Sequence, residues 1–192
     1  MLTLYFSPGS SSMAAHIALH EVGATFDLKL VSFAKREHQT SAFRSINPAG
    51  KVPALLIDGR LLTEVAGILF YLAKRFPEAG LLPNDIEAQA QVISCMSFIA
   101  SSIHPANRKA DRSRAAYKLA DQRLGDNEWT VGGHYSIGDI HLFRLFWRFR
   151  GALNPAPGEF PSIERHYERM MARPAVKKTI DIESTIGYEL PA

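Results

Sequence analysis

Strand-like and helix-like runs alternate over the first 75 or so residues, and beyond them only the helical pattern continues. Leu2-Thr3-Leu4-Tyr5-Phe6 is strand-like and ends at the turn signal Ser7-Pro8-Gly9. Ser10, Ser11 and Ser12 can each cap a helix that runs through His16-Ile17-Ala18-Leu19-His20 and stops near Gly23. Phe26 to Val31 reads as a second strand, joined to the first by a helix crossing one face in a β-α-β unit. After a polar stretch, Asn47-Pro48-Ala49-Gly50 marks a turn, and Val52 to Ile57 forms a strand with a proline at its start. Asp58-Gly59 is a hairpin signal into Arg60-Leu61-Leu62, and Thr63 is placed to cap a helix from Glu64 to about Arg75. The order β-α-β, a short helical or loop segment, then β-β-α requires one sheet with both parallel and antiparallel pairs.

Phe76 to Asn84 holds two prolines and a glycine and is the best domain boundary. The chain therefore divides into residues 1–77, with an α/β pattern, and 85–192, all helical. Val92, Met96, Ile99 and Ile103 keep a helical period with Cys95 beside the stripe, and His104-Pro105 kinks or interrupts that helix. A helix near 108 to 124 carries a basic face, read as solvated. Ser136-Ile137-Gly138-Asp139 is a capping-box signal for a helix through Trp147. Ser162 opens a further helix to about Met171, and Arg173-Pro174 starts a last one that ends before Gly187.

Composition removes several function classes. The single cysteine, Cys95, excludes an internal disulfide and reads as a small buried hydrophobe. A net charge of +3 suits a small anionic ligand and is too weak to point to nucleic acid. His16, His20, His134 and His141 lack metal-ligand spacing, so no metal is expected. The opening residues have no secretion-signal pattern and no apolar run is long enough to span a membrane, so the expected compartment is the cytoplasm.

The motifs taken together have a family likeness. Tyr5-Phe6-Ser7-Pro8-Gly9-Ser10-Ser11-Ser12 through Leu19, Asn47-Pro48-Ala49-Gly50-Lys51-Val52-Pro53-Ala54-Leu55 and Leu62-Thr63-Glu64 stand in order with Ile99 to His104 and Ser136 to Ile140. This series resembles the cytosolic glutathione transferase superfamily, most nearly its bacterial beta class, over almost the whole chain. The resemblance implies a thioredoxin-like first domain (βαβαββα), a C-terminal helical bundle, a homodimer, and glutathione as co-substrate.

It also implies residue roles. Val52-Pro53 matches a cis-proline motif whose Val52 backbone pairs with the cysteinyl part of glutathione, although bonds before proline are mostly trans. Glu64 matches the residue that binds the γ-glutamyl amino end, and Val65 stands where a serine commonly follows, keeping the N–H but no hydroxyl. Lys35 matches a position reaching the glycyl carboxylate, with Lys51 as competitor. His104 matches a histidine near the sulfur. Ser11 stands where the beta class has its cysteine, and a serine cannot form a mixed disulfide with glutathione. The resemblance then leaves a serine-type role, a hydroxyl at the start of the first helix that donates to the glutathione thiolate. Ser11 is the first candidate, Ser12 the second; Ser10 and Tyr5 are weaker, Tyr5 reading as part of the sheet.

The expected function is conjugation of glutathione to a small, fairly apolar electrophile bound between the domains, in a detoxification role. Phe6, Phe33, Phe98 and Trp147 are candidates for an apolar wall there. The alternatives are glutathione-dependent isomerisation or peroxide reduction, and a non-catalytic module that binds glutathione or a protein.

Overall fold

The computed structural model describes residues 1–107 and 109–189. The chain forms two compact units, Met1–Arg75 with the segment from Pro174 onward, and Phe76–Arg173.

In the first unit the order is β1 (Leu2–Phe6), α1 (Ser12–Glu21), β2 (Phe26–Leu30), α2 (Ser41–Ile46), β3 (Ala54–Ile57), β4 (Arg60–Thr63) and α3 (Val65–Arg75). The sheet runs β2-β1-β3-β4. β1 pairs parallel with β2 and antiparallel with β3, so Leu4 sits opposite both Leu28 and Leu55. Strand alternation sends Leu2, Leu4 and Phe6 into a core with Met13, Ile17 and Leu19 of α1 and Ile68, Leu69 and Leu72 of α3. Tyr5 points the other way and packs against Phe43, 5.8 Å between ring centres, beside Val31 and Ala54. This is the mixed sheet that the residue pattern requires, in the thioredoxin-like order that the resemblance implies. Phe6 is only 2% exposed and fills its core, so it does not form the wall of a substrate pocket.

The last helix, α9 (Pro174–Ile186), belongs to this unit, although the sequence groups it with the helical half. Ala175, Val176, Thr179 and Glu183 make its buried face, and it packs along α1. Their three- and four-residue spacing is that of a helix seated on one partner.

The second unit contains α4 (Ile86–Phe98), a π-turn at Ile99–Ile103, a single turn α5 (His104–Ala106), α6 (Ala110–Leu124), α7 (Ile137–Leu153) and α8 (Pro161–Ala172). Pro105 has no N–H to give the carbonyl one turn earlier, and the helix widens to the π form just ahead of it. The core gathers Ile99, Ile103, Tyr117, Leu145, Phe146, Phe160 and Ile163. Phe98 packs on the rim of that core under the Arg123 guanidinium. No helix among the described residues is long and apolar enough to cross a membrane.

One local expectation fails. Thr63 is the last residue of β4 and not a helix cap; α3 begins at Val65, and Glu64 bridges them with φ of 65°. The expectation at Ser136 holds. Its hydroxyl accepts from Gly138 N–H, and the Asp139 carboxylate answers Ser136 N–H at 2.8 Å. Asp139 does more than cap, since its other oxygen accepts from Thr130 N–H at 2.7 Å and from His166 Nε2 at 3.0 Å. This buried carboxylate ties the 130–136 loop to α7 and α8. Asp139→Ala should therefore cost about 3 kcal/mol or more, because several hydrogen bonds to one charged group are lost and their buried donors stranded. Urea unfolding checks this, and a loss under about 1 kcal/mol would contradict it.

Candidate active site

Five of the six residues from Ser7 to Ser12 are buried, and only Ser11 keeps appreciable exposure. The turn satisfies most of its polar groups internally, although the buried Ser7 hydroxyl has no partner. Ser12 Oγ donates to the Ser7 carbonyl and accepts from Ser7 N–H, both at 3.1 Å. Ser10 Oγ lies 2.7 Å from Ser12 Oγ and accepts from Ser12 N–H at 3.2 Å. A hydroxyl has one proton and two acceptor sites, so with Ser10 donating, Ser12 is fully engaged. Ser10 performs the capping, its carbonyl also taking Met13 N–H at 3.1 Å. Ser11 has helical backbone angles (φ −58°, ψ −21°), and its side chain makes no capping bond. The sequence treats the three serines as equivalent caps; burial separates them. Ser11 is left with an accessible hydroxyl at the positive end of α1.

Gly9 occupies the left-handed region (φ 69°), which glycine enters without steric cost. Its N–H donates to Glu183 Oε2 of α9 at 2.7 Å. The sheet unit thus holds its first turn from both sides, by serines from within and by a carboxylate from the end of the chain.

The Val52–Pro53 bond is cis. Asn47 fastens the preceding turn, donating from Nδ2 to the Lys51 carbonyl at 2.7 Å and accepting from Ala49 N–H at 3.1 Å. Gly50 (φ 62°) passes so close to the His38 carbonyl that a Cβ there would stand 2.8 Å from it. Lys51 and Val52 thereby border an open cavity of about 460 Å³, shared with Phe33, Ala34, His38 and Glu189.

Lys35 is exposed next to this cavity, and its N–H donates to Ser32 Oγ at 3.1 Å. The same segment binds a carboxylate, that of Glu189, through Ala34 N–H at 3.0 Å and Ser32 Oγ at 2.8 Å. Those bonds, with Phe33 N–H and the Lys35 charge, hold the Glu189 carboxyl below its ordinary range. The loop after β2 is an anion-binding segment.

Glu64 is exposed, and its carbonyl accepts from Ile68 N–H at 3.0 Å. A left-handed glutamate is uncommon, and such backbone persists where its surroundings fix it, often at ligand sites. Val65 opens α3, where the first N–H groups have no helical partner and suit an anion. Ser11, Lys35, Lys51, Val52, Pro53, Glu64 and Val65 all belong to the first unit; His104 belongs to the second. His104 is exposed in α5, and its charge, after burial and Arg144, helps push the buried His141 down to about 3.

Cys95 on α4 is held far from reactivity. Burial and the neighbouring Asp139 carboxylate push its thiol up to about 11, with Thr130 acting weakly in the other direction. Among the described residues, no three histidine, cysteine or acidic side chains converge to hold a metal ion. Glu183 and Glu189 were missed in the sequence because their partners lie over 150 positions away. The one local signal was an acid on the buried stripe of α9.

Residues 1–74 match the family model of the glutathione S-transferase N-terminal domain, and residues 93–174 that of the C-terminal domain. The chain is 32% identical to glutathione S-transferase GstA of Escherichia coli O157:H7, over 95% of this chain and 98% of the relative. It is 26% identical to a maleylacetoacetate isomerase of Pseudomonas aeruginosa, over 88% and 90%. Among solved structures, a glutathione transferase homologue from Sulfitobacter with bound glutathione superimposes with a TM-score of 0.84 at 32% identity, covering 95% of this chain and 98% of that one.

A thiol raised from 9.0 to about 11 holds about a hundredfold less thiolate near pH 8, and the thiolate is the reactive form. Native protein should therefore react with a thiol reagent about a hundredfold more slowly than denatured protein. Cys95 is half-buried rather than fully enclosed, and its reaction at the denatured rate in folded protein would contradict its raised pKa.

Proposed function

The chain belongs to the glutathione S-transferase family, and we propose that Ser11 stabilises the glutathione thiolate that attacks a small apolar electrophile. The observation that carries this reading is the single accessible hydroxyl in an otherwise buried, internally bonded turn at the start of α1. Glutathione is the nucleophile in this scheme. Ser11 donates to its sulfur, the positive end of α1 adds to the effect, and the thiol ionises nearer neutral pH. Charge that develops on sulfur meets donors already in place, so little reorganisation opposes it.

The rest of the tripeptide is assigned by chemistry. Its γ-glutamyl amino group goes to the Glu64 carboxylate and its α-carboxylate to the N-terminus of α3 at Val65, where dipole and N–H groups favour an anion. Its cysteinyl backbone runs beside Val52 as an added strand. The glycyl carboxylate goes to Lys35 or Lys51 at the anion-binding segment. That segment's grip on the Glu189 carboxylate supports this orientation.

The working form is a homodimer in the cytoplasm, with a role in detoxification. A second reading is glutathione-dependent isomerisation, favoured by the similarity to the maleylacetoacetate isomerase. In that chemistry the thiolate adds to a double bond and is later expelled. Conjugation consumes glutathione in proportion to product, whereas isomerisation returns it, and assay of free thiol separates the two.

Replacing Ser11 by Ala removes a hydrogen bond to an ion, worth about 1.5–3 kcal/mol. The pKa of the bound thiol should rise by about one unit or more, and conjugation near pH 7 should fall at least about tenfold, with a smaller change in affinity. Ultraviolet titration of the thiolate reads this directly. Ser12→Ala should mainly lower stability by loosening the turn, and His104→Ala should raise the pKa less than Ser11→Ala. An unchanged pKa in Ser11→Ala sinks serine activation.

Glu64→Gln keeps shape and backbone while removing the charge that meets the γ-glutamyl ammonium. Calorimetry should show glutathione binding weakened by about tenfold. Unchanged affinity would overturn the assignment of Glu64.

A further inference from the structure

Glu183 is fully buried on α9. Its two oxygens reach different parts of the candidate site: Oε2 accepts from Gly9 N–H at 2.7 Å, and Oε1 accepts from His16 Nδ1 at 2.9 Å. Gly9 lies two residues before Ser11, and His16 lies on α1 one turn beyond Ser12. One carboxylate therefore grips the turn and the helix on either side of the accessible hydroxyl.

The rest of α9's buried face shows how unusual this position is. Ala175 and Val176 seat the helix on α1 without charge, and Thr179 closes its hydroxyl on its own helix, at the Ala175 carbonyl. Docking α9 needs no ionisable group at position 183, and burying a carboxylate is costly unless several donors meet it. What a carboxylate adds is an acceptor for the Gly9 amide, which is buried and needs one. His16 depends on the same group. Its Nε2 has no hydrogen-bond partner, and its ring is enclosed by Phe6, Phe26 and His20 at 5.6, 5.9 and 5.0 Å between centres.

We infer that Glu183 is a positioning residue for the transferase reaction. Through the Gly9 peptide it fixes the Ser10–Ser11 segment, so that the Ser11 hydroxyl is presented at the start of α1 with its direction already set. The inference rests on the reading that Ser11 stabilises the glutathione thiolate. It adds that a residue from the far end of the chain, which does not itself touch the tripeptide, governs how well that hydroxyl performs.

The test compares Glu183→Ala, Glu183→Asp, Glu183→Gln and Val176→Ala with wild type. The readouts are the pKa of bound glutathione by ultraviolet titration, kcat and glutathione KM separately, and thermal stability. Glu183→Ala should raise the bound thiol's pKa and cut kcat near pH 7 by about tenfold, with glutathione KM changed less than about threefold. Glu183→Asp keeps the charge but withdraws the oxygens, and should shift the pKa in the same direction even if Glu183→Ala does not fold. Glu183→Gln still offers Gly9 an acceptor and should recover most of kcat. Val176→Ala loosens the same helix contact and should lower the melting temperature while leaving the thiol pKa in place. The inference is overturned if Glu183→Ala and Glu183→Asp both leave the pKa at the wild-type value while Ser11→Ala raises it. It is overturned equally if Val176→Ala reproduces the pKa shift, since helix docking alone would then account for it. A wild-type protein that leaves the thiol at its free value overturns both this inference and serine activation.

Discussion

The constraint on which the site depends is the need to bury the polar turn between β1 and α1. A strand ending in the core and a helix starting beside it leave Ser7 to Ser10 out of water, and each unpaired amide or hydroxyl there costs about 1–3 kcal/mol. The sequence answers with serines bonded to one another, a glycine in a left-handed conformation, and a carboxylate brought back from α9. The helix that supplies this carboxylate is thereby drawn into the sheet unit. The Ser7 hydroxyl stays buried and unpaired, and Ser11 alone keeps an accessible hydroxyl outside the network. A rigid turn with one available hydroxyl is what stabilisation of a thiolate needs, because a donor that must reorient gives back part of what it contributes.

Much of this was legible from local pattern. The period of two in Leu2–Phe6, the hairpin at Asp58-Gly59, the capping box at Ser136 and the proline start of α9 each carry their own physical cause within a few residues, whereas α8 begins at Pro161 and not at Ser162 as the sequence suggests. Long-range pairing was not legible. Nothing near position 183 announces Gly9, and nothing near 189 announces Ser32. Thr63 misled for a related reason: its hydroxyl suits a cap, but pairing with Ala54 keeps it in β4 and forces Glu64 to make the bend. Between Ser11 and Ser12 the local pattern offered no choice and only the family resemblance put Ser11 first, since the difference lies in which side chain the turn encloses.

The two sulfur-related positions illustrate how environment assigns chemistry. The chain's only cysteine is placed among apolar side chains and near the Asp139 carboxylate, both of which oppose ionisation. At the helix start, where a thiol would be activated, the chain has serine. A hydroxyl there has no redox chemistry of its own and can only donate to a partner's sulfur. This separates the protein from thiol–disulfide exchange at position 11 and fits reactions in which glutathione is the nucleophile throughout. In the proposed function, the segment after β2 that holds the Glu189 carboxylate and the left-handed Glu64 would take the two charged ends of the tripeptide.

The most direct measurement is a crystal structure of the protein soaked with glutathione. It reports in one experiment which donor faces the sulfur and which groups hold the ends. The account requires the sulfur within hydrogen-bond reach of Ser11 Oγ, the γ-glutamyl group at Glu64 and the start of α3, and the Gly9 amide still bonded to Glu183. A sulfur directed at His104 or Tyr5, with Ser11 turned away from it, would contradict the account at its centre.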